Sequence, residues 1–191
     1  LVKPDHDVRL QQLTAWLTGQ LESLFRSNAW GEVPTGSLTA ASSDASFRRY
    51  FRWEGAGHSF VIMDAPPPQE NCRPFVDIDH LLATAGVNVP VIHAQDLERG
   101  FLLLGDLGRQ TYLDIIDSDN ADALFADAID ALLAFQRLPM DAPLPSYDVA
   151  LLRREVELFP EWYVGRELGL TFSEAQQATW QRVSQVLIDS A

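Results

Sequence analysis

Between positions 42 and 52 the chain runs Ser42-Ser43-Asp44-Ala45-Ser46-Phe47-Arg48-Arg49-Tyr50-Phe51-Arg52. Small polar residues let backbone N–H groups come close to an anion, and the arginines that follow supply positive charge in a planar fork of donors. Phosphate is the anion this combination suits best. If Phe47 to Trp53 is a strand, its period of two puts Arg48, Tyr50 and Arg52 on one face and Phe47, Arg49, Phe51 and Trp53 on the other. Arg48 and Tyr50 would then offer a guanidinium and a ring to one ligand. The plainer alternative is a surface hairpin whose arginines offset local acidity, since small polar loops before strands are common.

The elements that must hold this run are readable from periodicity. Leu10, Leu13, Leu17, Leu21 and Leu24 recur at helical steps behind Asp5 and Asp7, which predicts an amphipathic N-terminal helix. Leu38 to Ser42, Phe47 to Trp53 and Ser59 to Met63 read as strands, the second and third joined as a hairpin through Glu54-Gly55-Ala56-Gly57, and Pro66, Pro67 and Pro68 forbid continuation of the third. Pro74 to Ala85 has helical spacing at Phe75, Ile78, Leu81 and Leu82 and ends at Gly86. Val89 to Ala94 and Phe101 to Leu104 form a second hairpin around Leu97-Glu98-Arg99-Gly100. After Gly108 the pattern is helical: Thr111 to Ile116, Ala121 to Leu138, Asp148 to Arg166, and Ser173 to Ile188, the last opening on a Ser173/Gln176 capping box. The natural boundary is Gly105 to Gly108, between an α+β half and an all-helical half.

Composition narrows the function classes. The 191 residues carry a formal charge of −13, a field that repels nucleic acid and anionic membrane surfaces, so neither is expected as a partner. Apolar runs are far below the roughly 20 residues a spanning helix needs. The single Cys72 excludes an intramolecular disulfide and fits a reducing cytoplasm. Lys3 is the only lysine, so any other cationic grip must come from arginine.

Four runs carry a resemblance: Ser43 to Arg52; Val61-Ile62-Met63-Asp64-Ala65-Pro66-Pro67; Gly86-Val87-Asn88-Val89-Pro90; and Phe101-Leu102-Leu103-Leu104-Gly105-Asp106-Leu107-Gly108. In this order they resemble the aminoglycoside-phosphotransferase-type family, within it the bacterial anomeric kinases of N-acetylmuramate and N-acetylglucosamine. The resemblance implies an α+β, protein-kinase-like fold: an N-lobe over residues 1–104, with an antiparallel five-stranded sheet and one helix beside the N-terminal helix, then a hinge and the beginning of a helical C-lobe over 105–191. It implies ATP as phosphoryl donor with Mg²⁺, a sugar as acceptor, and a cytoplasmic role in cell-wall recycling. Ser42, Ser43, Asp44, Ala45 and Ser46 would be the phosphate-covering loop, with Ser43 where relatives carry glycine. Tyr50 would lie over the base or ribose, and Leu103, Leu104, Gly105, Asp106 and Leu107 would be the hinge whose backbone groups bond the adenine edge.

The chain departs from ordinary kinases in two places. The lysine that grips the α- and β-phosphates would sit near Met63 or Asp64, and neither can replace it; Arg48 is the expected substitute and Arg49 the reserve. Without that lysine, Glu70 is expected to be an ordinary surface carboxylate. The usual His-x-Asp catalytic loop is also absent, because none of His6, His58, His80 and His93 is followed two residues on by aspartate. The resemblance places that loop and the metal ligands beyond Ala191, so the expectation is the front portion of a kinase, inactive by itself. The alternative is a catalytically incompetent kinase-like module that binds nucleotide or a partner; a third reading is an interaction domain unrelated to kinases.

The helical half offers Glu155 and Trp162 as candidate sugar contacts, although aromatic residues at helical spacing are more often core. Asp114, Asp117, Asp119, Asp122, Asp127 and Asp130 lack EF-hand loop spacing and read as a solvated acidic face. His80 and His93 have no convincing ligand set and read as structural or exposed.

Overall fold

A computed structural model describes residues 8–43, 47–138 and 144–191, so Asp44, Ala45 and Ser46 of the expected phosphate loop lie outside the described residues. The chain divides into two compact units, Leu1–Met140 and Asp141–Ala191.

The first unit opens with α1 (Val8–Ser27), followed by β1 (Ser37–Ser43), β2 (Arg49–Gly55), β3 (His58–Asp64), α2 (Arg73–Thr84), β4 (Ile92–Asp96) and β5 (Phe101–Gly105). The strands make one antiparallel sheet in the order β1-β2-β3-β5-β4. The second hairpin therefore docks on the first through β5 rather than β4. The reason is apolarity: β5 is buried at Phe101, Leu102, Leu103 and Leu104 and suits an interior strand, whereas β4 has no buried residue and suits an edge. In the β2–β3 turn, Ala56 and Gly57 both have positive φ (46° and 84°), as a two-residue hairpin requires to match strand twist. Gly100, at φ +73°, is pinned more tightly: a Cβ there would lie 1.9 Å from the Ala65 carbonyl oxygen, which belongs to the residue whose N–H donates to Gly100 O at 2.8 Å.

Each sheet face buries a different set of residues. On one, Leu13, Trp16, Leu17, Leu21 and Phe25 of α1 pack against Trp53, Phe60, Ile62, Phe101 and Leu103. Phe25 meets Trp53 edge-on at 6.2 Å and Trp16 tilts against Phe101 at 5.7 Å. On the other, Met63, Leu102 and Leu104 pack with Cys72 and Val76, bordered by Tyr50, Val61 and Ile92. The α2 stripe differs from the expected Phe75, Ile78, Leu81 and Leu82: Val76 and Asp79 face inward, while Ile78 is 42% exposed. The smaller Val76 fits a layer already filled by Met63, Leu102 and Leu104, which leaves the bulkier side chains along the rim.

After β5 come α3 (Tyr112–Ile115), with a Thr111/Asp114 capping box, and α4 (Ala121–Gln136). α4 buries no residue; Phe125, Ile129, Leu132 and Leu133 are all exposed.

The second unit comprises α5 (Val149–Leu158), a π-helical segment Phe159–Glu167, and α6 (Glu174–Asp189). The single helix expected over Asp148 to Arg166 thus changes its winding at Pro160, which lacks the N–H for a regular turn, so the ladder widens to i→i−5 bonding. Asp148 caps α5 by accepting from Leu151 N at 2.9 Å, and the Ser173/Gln176 capping box opens α6 as expected. Phe159 stacks on Tyr163 at 5.6 Å and tilts against Trp180 at 5.2 Å.

Candidate nucleotide-binding face

The parity of β2 decides where each candidate side chain goes. β2 begins at Arg49, two residues later than the sequence suggests, yet the alternation it predicts holds. Phe51 and Trp53 belong to the α1-side core, whereas Tyr50 borders the α2-side cluster. A register shift between Ala40 and Ser42 breaks the β1–β2 pairing just ahead of the loop, and beyond it Ser42 pairs with Tyr50 and Ser43 with Arg49. Such bulges re-aim a strand end.

Met63, where the resemblance locates the phosphate-gripping lysine, is fully buried and sits in register between Tyr50 and Leu102. That position is apolar core. A cation does reach the same face from the residue just ahead of β2: Arg48 Nε donates to Glu70 Oε2 at 2.9 Å. Burial opposes the Arg48 charge, but hydrogen bonds to Glu70 and Tyr50 outweigh it and raise its pKa. Glu70 is therefore not the ordinary surface carboxylate expected; its side chain is only 15% exposed and anchors Arg48. The expectation failed because it looked for a partner on β3, while the Pro66-to-Gln69 turn, closed by Glu70 N to Pro66 O at 3.0 Å, brings the carboxylate back toward the start of β2. Arg48 also lines an open pocket of about 310 Å³ with Phe75, Ile78, Asp79, Val89 and Pro90.

Arg49 turns to the opposite face. Its Nε and Nη2 donate to Asp64 Oδ2 at 2.8 and 2.5 Å, and Arg9 Nε from α1 donates to Asp64 Oδ1 at 2.6 Å. Asp64 is fully buried between the two guanidiniums. Arg9 also donates to Arg99 O at 2.6 Å and lies over the Phe101 ring at 4.8 Å, so this cluster ties α1 to the sheet.

Arg52 shares the Tyr50 face but is committed elsewhere. It forks onto Asp106, Nε to Oδ2 at 2.6 Å and Nη2 to Oδ1 at 2.8 Å, and Nη2 also donates to Gly108 O at 2.8 Å. Ser59 Oγ donates to Asp106 Oδ2 at 2.5 Å, and Gly108 N donates to Oδ1 at 2.9 Å. The Arg52 hydrogen bond, with Ser59 and the Gly108 amide, holds the Asp106 carboxyl far below the usual range. Within the expected hinge, Leu103 and Leu104 are buried on opposite faces, Gly105 N donates to Val91 O at 2.7 Å, and Leu107 is exposed. The hinge expectation used backbone alone and missed the roles of the Asp106 and Ser59 side chains. The signal available was parity: Arg52 is an inward-facing charge on β2 and needs a buried carboxylate.

In the second unit, Glu155 Oε1 accepts from Arg154 Nη2 at 2.8 Å, and Arg166 sits 4.0 Å above the half-exposed Trp162 ring. Trp162 is thus available at the surface of its unit and not a core residue. Among the described residues no group of three or more His, Cys, Asp or Glu side chains could hold a metal ion, so these residues do not by themselves fit Mg²⁺. Among the described residues no helix is long and apolar enough to cross a membrane.

Residues 37–191 match the model of the phosphotransferase enzyme family. A protein named N-acetylmuramate/N-acetylglucosamine kinase from Pseudomonas putida is 87% identical over 188 residues, 98% of this chain and 56% of the relative. One of the same name from Pseudomonas aeruginosa is 58% identical, over 97% of this chain and 55% of the relative. Another from Neisseria meningitidis is 38% identical over 79% of this chain and 46% of the relative. The chain spans about half the length of the curated relatives it matches. With its five-stranded sheet flanked by helices and the family match over most of its length, the chain belongs to the phosphotransferase enzyme family.

Proposed function

We propose that this chain supplies the nucleotide-binding part of an ATP-dependent sugar kinase, one that phosphorylates the anomeric hydroxyl of N-acetylmuramate or N-acetylglucosamine in the cytoplasm. The observation that carries the reading is the Arg48–Glu70 pair on the Tyr50 face, beside a Met63 that leaves no lysine there. A guanidinium oriented beside a carboxylate and a tyrosine has the planar, forked geometry that suits phosphate. The sugar is taken from the names of the relatives.

In this reading residues 1–104 act as the N-lobe and 105–191 as hinge and partial C-lobe. Backbone amides of Ser42 to Ser46 cover the phosphates, Arg48 grips them, and Tyr50 lies over the base or ribose. Arg49 turns to the α1 side with Asp64 and Arg52 braces Asp106, whereas Arg48 lies beside Tyr50 and lines the pocket along α2, so Arg48 takes the place of the lysine. The backbone of Leu103 to Leu107 bonds the adenine edge, and Glu155 and Trp162 contribute to the sugar pocket. Proton acceptance and Mg²⁺ binding fall to carboxylates in the length that the relatives have beyond this match. Phosphoryl transfer depends on positioning and charge neutralisation, so the present chain alone should transfer little or no phosphate.

The test is phosphoryl transfer by the complete polypeptide from ATP to each sugar, with the anomeric phosphate identified by phosphorus NMR. Transfer to neither sugar, with ATP still bound, would favour the second reading: a binding module without catalysis, which the apolar Met63 motivates. Absence of both binding and transfer would overturn both.

A further inference from the structure

Three arginines follow the small polar run at 42–46, yet Arg52 is occupied in a way that phosphate binding does not explain. Its guanidinium and the Asp106 carboxylate are each only 9% exposed, and around them gather Ser59 Oγ from β3 and both backbone groups of Gly108. The chain leaves the sheet at Gly105, and Gly108 sits at φ +102°. No helix or strand ladder holds the intervening residues, so their peptide orientation rests on this cluster.

We infer that Arg52 is a positioning residue for nucleotide binding. With Asp106 and Ser59 it fixes the backbone from Gly105 to Gly108 in the conformation that presents peptide N–H and C=O groups to the base. The inference rests on the proposed reading of Leu103 to Leu107 as the base-binding segment. A short connection that is free to rotate would have to be ordered each time nucleotide binds, and pre-ordering it strengthens binding without any added contact. The Arg52 fork suits the task because one planar group reaches the carboxylate twice and the Gly108 carbonyl once. Lysine carries the same charge but no fork.

The competing explanation is a buried ion pair that serves stability alone. Such pairs can often be exchanged for apolar residues of similar volume with little loss of stability, and this separates the two explanations. The complete polypeptide is compared with Arg52→Lys, Ser59→Ala and the double variant Arg52→Met/Asp106→Leu, by KM for ATP, KM for the sugar, kcat and thermal midpoint. Positioning raises the ATP KM of Arg52→Lys by about tenfold, or roughly 1.4 kcal/mol, with kcat and the sugar KM little changed. Ser59→Ala moves the same constant in the same direction by a smaller factor. In the double variant the midpoint recovers while the ATP KM stays raised and the preference for ATP over GTP narrows.

Recovery of midpoint and ATP KM together would overturn the inference. So would a lowered midpoint in Arg52→Lys with an unchanged ATP KM. If the double variant fails to fold, Arg52→Lys and Ser59→Ala decide between the same two outcomes. A wild-type protein that binds no ATP would instead sink the nucleotide-site reading itself.

Discussion

The cluster around Asp64 yields an ordering of stabilities that follows from its geometry. Asp64→Ala removes the acceptor of three charge-assisted hydrogen bonds, from Arg9 Nε and from Arg49 Nε and Nη2. Taken singly such bonds contribute about 1.5–3 kcal/mol each, but the sum overstates the loss. The two guanidiniums are 26% and 36% exposed and can rehydrate, which discounts their share, and the variant also relieves the desolvation of a fully buried carboxylate. The net expected loss is about 2–4 kcal/mol. At roughly 2–4 °C per kcal/mol for a chain of this size, the midpoint should fall by about 5–15 °C.

Arg9→Ala and Arg49→Ala each remove one guanidinium and leave Asp64 the other, so each should cost less than Asp64→Ala. The double variant Arg9→Ala/Arg49→Ala strands a charge at zero exposure and should be less stable than Asp64→Ala, although it keeps the carboxylate. Differential scanning calorimetry at neutral pH measures all four. A double-arginine variant as stable as Asp64→Ala would refute the reasoning, because it would mean that Asp64 is neither buried as a charge nor held by both partners.

Asp106 has a depressed pKa in the fold, so its contribution to stability is fully present above the ordinary carboxylate value near 4 and is lost as pH falls through the folded value. Midpoints measured from pH 5 downward should decline, and the slope should flatten in Asp106→Asn; an unaltered slope contradicts the assignment. Asp79 is shifted the other way: burial raises its pKa, and its Oδ1 lacks a partner among the described residues. Its unfolded form ionises more readily, so it lowers stability once pH rises past the unfolded value. Asp79→Leu should therefore raise the midpoint at pH 7 by several degrees, given about 1–3 kcal/mol for an unsatisfied buried group, and by less at pH 4; a lower midpoint at pH 7 would show that Asp79 has a stabilising partner. Gly100→Ala places a methyl 1.9 Å from the Ala65 carbonyl oxygen at a positive φ and should cost more than about 3 kcal/mol. Gly57→Ala, in open space at φ +84°, should cost about 1–2 kcal/mol by urea unfolding.

Much of the fold was legible because its signals are local. Strand signals placed β1, β2, β3 and β5 within a residue or two and the start of β4 three residues early, the α1 stripe identified its buried face, and Ser173/Gln176 marked the start of α6. What was illegible depended on pieces far apart in sequence. Insertion of β5 between β3 and β4 follows from burial of Phe101 to Leu104, which a short apolar run alone does not rank. The inward face of α2 depended on the volume already filled by Met63 and Leu102. At the candidate site, parity correctly separated Arg48, Tyr50 and Arg52 from Arg49, but residue types could not tell which arginine was already engaged. Asp64 took Arg49, Asp106 took Arg52, and Glu70 returned on a proline-rich turn to hold Arg48. A carboxylate's partner is a property of the folded chain, and only the folded positions reveal it.

The most direct test is the ATP dissociation constant of the complete polypeptide with Arg48 replaced by alanine, measured by titration calorimetry alongside a thermal scan to confirm folding. Loss of a charge-assisted phosphate contact worth about 1.5–3 kcal/mol should weaken binding by roughly 10- to 150-fold. A folded Arg48→Ala protein that binds ATP as tightly as the parent would contradict the claim that this arginine stands in for the absent lysine.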